Sequence, residues 1–161
     1  MMLGEHDKID KRWIFDESQR MPFLVQYPKE IKAGTINEDI VDNTDFTPTL
    51  LDYAGIEKPD FMQGRSFRNI LQSNTPNEWR QSVYYRYWMH MAHHWVPAHY
   101  GIRTDRFKLI FFYGMKLDSK GCNHPDCDAP FEPGFEMYDC LLYTSDAADD
   151  SLRVDLGGRR I

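Results

Sequence analysis

Lys11 stands in the string Asp10-Lys11-Arg12-Trp13, ahead of Glu17-Ser18 and Arg20-Met21-Pro22. A lysine ammonium is a compact point charge that can hold an oxyanion such as sulfate or phosphate. A single lysine is ordinarily a solvated surface group, so the surrounding string has to carry that reading. Four histidines, His90, His93, His94 and His99, crowd into ten residues. The sharp reading of that cluster is a zinc site. Against it, no glutamate follows His90 as a helical zinc motif requires, and Pro97 breaks any helix. The plainer reading is a loop of polar rings between two strands. Cys122-Asn123-His124-Pro125-Asp126-Cys127 offers three ligands in six residues around a proline. Free thiols, a disulfide and a metal site all remain open there. His6, in Gly4-Glu5-His6, suits a structural hydrogen bond to backbone. Arg65 and Arg103 read as ion-pair or carbonyl partners before anion ligands, and Arg106 and Lys108 as solvated.

These residues need elements to hold them. Met21-Pro22-Phe23-Leu24-Val25-Gln26-Tyr27-Pro28 is a short apolar run closed by proline, which predicts a buried strand. Asp45 to Gly55 carries a helix signature, with Thr47 as N-cap, Pro48 in the first turn and Gly55 at the end. Leu50, Leu51 and Ala54 should form its buried stripe. A short helix is expected at Phe67–Leu71. Val83 to Trp88 is aromatic and β-branched, hence a strand. His99–Arg103 and Phe107–Tyr113 flank Thr104-Asp105-Arg106 and predict an antiparallel hairpin. Phe135–Tyr138 should be one more strand. The front of the chain therefore reads as α/β and the back as a small antiparallel sheet, with the boundary placed near Ser73–Pro76.

Composition bounds the rest. The chain has 161 residues, 42% hydrophobic and 27% charged, which is globular rather than disordered. Its formal charge of −6 argues against nucleic acid and anionic membrane surfaces as partners. No apolar run is long enough for a transmembrane helix, and the first residues show no signal-peptide core. Three cysteines are too few for a disulfide scaffold.

Taken together, Leu3-Gly4-Glu5-His6, Asp10-Lys11-Arg12-Trp13, Glu17-Ser18 and Arg20-Met21-Pro22 resemble the sulfatase family of the alkaline-phosphatase-like superfamily. The resemblance continues through Asp45–Gly55, Met62-Gln63-Gly64-Arg65-Ser66 and Tyr100–Ile110, and covers about residues 1–139. It implies a sulfate ester hydrolase whose nucleophile is formylglycine, made from a Cys/Ser-x-Pro-x-Arg motif, and whose calcium ion polarises the sulfate. It implies Lys11 as the catalytic lysine that contacts sulfate and nucleophile. His99, in His99-Tyr100-Gly101, matches a family histidine that contacts substrate in the sulfate pocket. His6, His90, His93 and His94 are pocket-rim candidates or would stand behind the metal ligands. A sulfated small molecule or carbohydrate is the implied ligand.

The sequence departs from the family pattern at the nucleophile. No Cys/Ser-x-Pro-x-Arg motif occurs in it, and the early metal-binding aspartates are absent. The calcium ligands are expected just before Met1, in a missing N-terminal domain that is also the expected partner. The chain thus reads as a C-terminal sulfatase fragment, inactive alone, from a periplasmic or secreted parent. Residues 1–75 would be the end of the α/β sandwich domain and 76–139 the small antiparallel-sheet subdomain. Residues from about 140 to 161 resemble translated sequencing-adapter DNA and are assigned no function. The alternatives are a phosphonate or phosphate ester hydrolase of the same superfamily, a non-catalytic anion- or partner-binding module, or a metal-binding protein using His90, His93, His94, Cys122 and Cys127.

Overall fold

In a computed structural model of the chain, residues 2–4, 8–115 and 131–141 are described. They form two compact units. One comprises residues up to 22 together with those from 84 onward; the other is residues 23–83. The early segment carrying Trp13, Ile14 and Phe15 shares its core with the late sheet, so it groups with residues far along the chain. His6, Cys122, Cys127 and the tail beyond Leu141 lie outside the described residues.

The first unit opens with a two-stranded antiparallel ladder. β1 (Met2–Leu3) pairs with β2 (Ile9–Asp10), with Met2 opposite Asp10. A bend then leads into α1 (Asp16–Gln19). Four longer strands follow: β3 (Ser82–Tyr87), β4 (His99–Thr104), β5 (Phe107–Phe112) and β6 (Gly134–Asp139). They form one sheet in the order β3-β4-β5-β6. The expected hairpin is present, with Gly101 opposite Ile110, and β5 pairs antiparallel with β6. The result is the mixed helix-and-strand fold with a small antiparallel sheet that the sequence pattern predicts.

Alternation decides which face of the sheet is buried. His99, Gly101, Lys108, Ile110, Phe112 and Tyr138 are buried, while Tyr100, Ile102, Phe107 and Phe135 are exposed. The buried face packs on Trp13, Ile14 and Phe15, with Met2, Tyr87 and Val96 completing the core. Gly101 is required at its position. A Cβ there would lie 2.4 Å from the Leu109 carbonyl oxygen and 2.7 Å from Ile14 Cδ1.

The second unit is built around α2 (Phe46–Tyr53), preceded by a 3-10 turn at Asn43–Asp45 and followed by α3 (Arg68–Leu71). The N-cap is not Thr47. Asp42 caps the 3-10 turn by accepting from the Thr44 N–H, and Asp45 returns the favour to the Asp42 N–H in a reciprocal capping box. An aspartate pair three residues apart satisfies two orphan amides, which Thr47 could not do once helical. Gly55 does end α2, at φ 69°.

Asp45 is completely buried and also accepts from the Arg65 N–H at 2.8 Å and the Arg80 guanidinium at 2.6 Å. Thr49 is buried beside it, donating to the Asp45 carbonyl and accepting from the Phe67 N–H. Phe67, Ile70 and Trp79 form the core of this unit.

Two expectations fail here. The predicted stripe of α2 is not buried: Leu50 is 69% exposed, and Pro48 and Thr49 are the buried positions. Residues 21–27 do not form a strand, because no other segment among the described residues pairs with them. Phe23 instead stacks edge-on against Phe46 and Phe67, and Tyr27 against Tyr53. Among the described residues no helix is long and apolar enough to cross a membrane.

Candidate functional site

Lys11 lies on the bend that follows β2, and its neighbours fix the bend from several sides. The Ser18 hydroxyl donates to the Asp10 carbonyl at 3.2 Å, and Gln19 Nε2 donates to the Trp13 carbonyl at 2.9 Å. Trp13 Nε1 donates to the Ile9 carbonyl, and the Tyr85 hydroxyl reaches from β3 to donate to the Arg12 carbonyl at 2.8 Å. Asp10 adopts φ 105°, a conformation uncommon for a residue with a side chain. Such local strain persists where surrounding contacts over-determine it, as they do here.

The charges of the bend are sorted by the same geometry. The buried Asp10 carboxylate accepts from the Lys11 N–H and pairs with Arg12. Burial alone would raise the Asp10 pKa, but the Lys11 amide, the Arg12 guanidinium and nearby His94 outweigh it and hold it below the usual range. Arg12 is therefore matched internally. Lys8 sits 4.5 Å above the Trp13 ring as a cation–π contact. The Lys11 side chain is exposed and makes no ion pair or hydrogen bond among the described residues. This arrangement leaves one ammonium on a rigid bend available to an external anion.

His99 opens β4 and is wholly buried. Its ring lies 5.2 Å from Phe112, 5.8 Å from both Tyr85 and Tyr87, and 6.0 Å from Trp13, with which it stacks. Burial pushes its pKa down, opposed by the Pro97 carbonyl against Nδ1. Trp13 and Tyr85 thus tie His99 to the same scaffold that carries Lys11.

The other histidines separate. His90 is buried and structural: its Nδ1 accepts from the Ala98 N–H at 3.1 Å, and its ring meets Phe131 edge-on. Burial lowers its pKa as well. His93 and His94 are exposed on the connection between β3 and β4, and His94 takes φ 48°. Among the described residues no group of three or more His, Cys, Asp or Glu side chains could hold a metal ion. The described residues therefore do not supply a ligand set for the implied calcium ion.

Lys108 is not solvated as its position near the turn suggests. It is 4% exposed and pairs with Asp16, whose carboxylate Arg103 also grips through Nε and Nη2. Arg106 pairs with Asp139, and Arg65 donates to the Glu78 carbonyl. Sequence reading does not single out Asp10 or Trp13 individually, and it reads Tyr85 and Tyr87 as core and sheet-face residues before sugar-stacking ones. The period-two pattern of β3 does place Tyr85 and Tyr87 on one face, and that was the available signal.

Residues 4–120 match the C-terminal family of N-sulphoglucosamine sulphohydrolase, which is more than half of the chain. The chain belongs to the sulfatase family. An N-acetylglucosamine-6-O-sulfatase of Bacteroides thetaiotaomicron is 50% identical over 133 residues, 76% of this chain and 24% of that protein. The mouse arylsulfatase K is 30% identical over 69% of this chain and 20% of its own length. Among solved structures, one captured with its substrate D-glucosamine-2-N,6-O-disulfate superposes over 98% of this chain and 28% of its own, with a TM-score of 0.76 and 39% identity. This sulfatase chain therefore spans about a quarter of the length of the relatives it matches.

Proposed function

We propose that this chain is the C-terminal part of a sulfate ester hydrolase that acts on a sulfated amino sugar. The observation that carries the reading is the Lys11 ammonium, exposed and unpaired among the described residues on a bend whose other charges are matched. The relatives support the substrate class: one is named for 6-O-sulfated N-acetylglucosamine, and another was solved with a disulfated glucosamine.

In this reading Lys11 is a catalytic residue that contacts the sulfate and stabilises charge developing on its oxygens as the ester bond breaks. His99 contacts the substrate. His93 and His94 lie at the rim. His90 has a structural task, and His6 stands near the metal ligands. The nucleophile and the calcium ion belong to an N-terminal domain supplied by the parent protein. The 75/76 boundary would then divide that parent's sandwich domain from its small sheet subdomain.

The test is sulfate release from N-acetylglucosamine-6-sulfate by the longer protein that contains this chain. Lys11→Ala should lower kcat/KM by about 100- to 1,000-fold, the usual cost of losing one fixed donor to a developing oxyanion. Unchanged turnover in that variant would remove Lys11 from catalysis. Preferential cleavage of a phosphonate or phosphate ester would replace the sulfatase reading with the alternative from the same superfamily.

A further inference from the structure

β3 ends at Tyr87 and β4 begins at His99, on either side of the 88–98 connection. Both side chains are sealed in the core, His99 completely and Tyr87 to within 7% exposure. His99 Nδ1 lies 2.7 Å from the Pro97 carbonyl oxygen. A carbonyl can only accept, so Nδ1 carries the proton and Nε2 is left with its lone pair. Neither His99 Nε2 nor the Tyr87 hydroxyl has a hydrogen-bond partner among the described residues. Their rings are 5.8 Å apart and tilted by 40°.

Two unpaired polar atoms on neighbouring rings of a core are unusual, because each costs about 1–3 kcal/mol when buried unsatisfied. These two are complementary: one donates and one accepts. A hydroxyl group does both at once and would satisfy the pair. A sulfate oxygen only accepts, and the Nε2 lone pair would repel it. Trp13, Tyr85 and Phe112 pack around the His99 ring, and Tyr87 lies within electrostatic reach of Arg12 and Asp10, beside the Lys11 bend. Few polar atoms set in an aromatic lining is the usual make-up of a small-molecule site.

We propose that Tyr87 is a binding residue. Its O–H donates to one hydroxyl of a saccharide ligand while His99 Nε2 accepts from that same hydroxyl. The inference rests on the sulfated-sugar reading above and divides the work: Lys11 takes the sulfate and the Tyr87–His99 pair takes a ring hydroxyl. Entry requires the 88–98 connection to shift. Met91, His94 and Trp95 there hold left-handed backbone conformations at φ 55°, 48° and 58°.

The experiment measures binding of N-acetylglucosamine-6-sulfate and of inorganic sulfate to the 161-residue chain by NMR titration, with thermal midpoints recorded alongside. Tyr87→Phe should weaken the sugar sulfate about tenfold, leave inorganic sulfate unchanged and keep or raise the midpoint. Unchanged sugar affinity with a raised midpoint would make Tyr87 an unsatisfied core hydroxyl and overturn the inference. Unchanged affinity with a lowered midpoint would make it a structural hydrogen bond and overturn it equally. Lys11→Ala tests the underlying reading separately: it should weaken both probes, and unchanged sulfate affinity would sink that reading whatever Tyr87 does. Wild-type chain that binds neither probe would overturn both.

Discussion

Replacing Asp16 with Asn removes one charge from a carboxylate that holds two cations, one buried and one half-buried. Asp16 accepts from Arg103 Nε at 3.1 Å and from Arg103 Nη2 at 2.9 Å, and pairs with the nearly buried Lys108. Burial alone would raise the Asp16 pKa. The Arg103 hydrogen bonds and the Lys108 charge more than offset this and bring it from 3.8 down to about 2. At about 1.4 kcal/mol per unit, that drop corresponds to about 2 kcal/mol of stability from the ionised form. Asn cannot match two cations, and breaking a buried pair by removing one partner commonly costs about 3–5 kcal/mol. Asp16→Asn should therefore destabilise the chain by about 2–4 kcal/mol at neutral pH. Because the folded pKa is depressed, the contribution is complete above about pH 4 and is lost as pH falls towards 2. Urea denaturation at several pH values between 7 and 2.5 measures it. Asp10, Asp52 and Glu30 also have lowered pKa values, so both proteins lose stability in acid. The gap between the two isolates Asp16. A gap that stays constant through acid, or one below about 0.5 kcal/mol at neutral pH, would refute the electrostatic account.

Gly101→Ala should destabilise by about 1–3 kcal/mol, since its Cβ would press on a ladder carbonyl that cannot yield without opening β4 from β5. Adding Ile14→Val should relieve only part of that loss in a thermal melt, because the Leu109 carbonyl stays where it is; full rescue would contradict the backbone explanation. Thr49→Val keeps the shape but strands the Phe67 N–H in the core, so it should cost about 1–3 kcal/mol, while Thr49→Ser should recover most of it. Equal stability of Val and Ser variants in urea would show that packing, not the hydroxyl, matters at that site. The Lys11→Ala and Tyr87→Phe measurements complete the set.

The hairpin at residues 99–112 was legible because two strand-like runs flank a short turn segment and satisfy their register within the chain. So was the strand at 134–139. Residues 21–27 were not, and the reason is physical rather than statistical. A run of Phe, Leu, Val and Tyr specifies a strand only if a partner supplies hydrogen bonds, and none does among the described residues. Leu50 misled in the same way: the apolar stripe of α2 is real, but in this chain it faces outward. The residues around Lys11 single it out as a candidate, whereas what leaves it unpaired is the Asp10–Arg12 pairing, a three-dimensional match that no spacing rule encodes. Lys108 shows the converse. Proximity to a turn suggested solvent, yet strand alternation points it inward, where Asp16 waits 92 residues upstream.

The shared core of Trp13, Ile14 and Phe15 with Tyr87, Ile110, Phe112 and Tyr138 also sets an order of events during synthesis. The three early residues leave the ribosome well before the sheet they pack on, which is complete only when β6 is made. At about 5–20 residues per second, the wait is on the order of ten seconds. Through that interval an indole and a phenyl ring stay open to chaperones and to neighbouring nascent chains, and a translational pause before Tyr138 would lengthen the exposure.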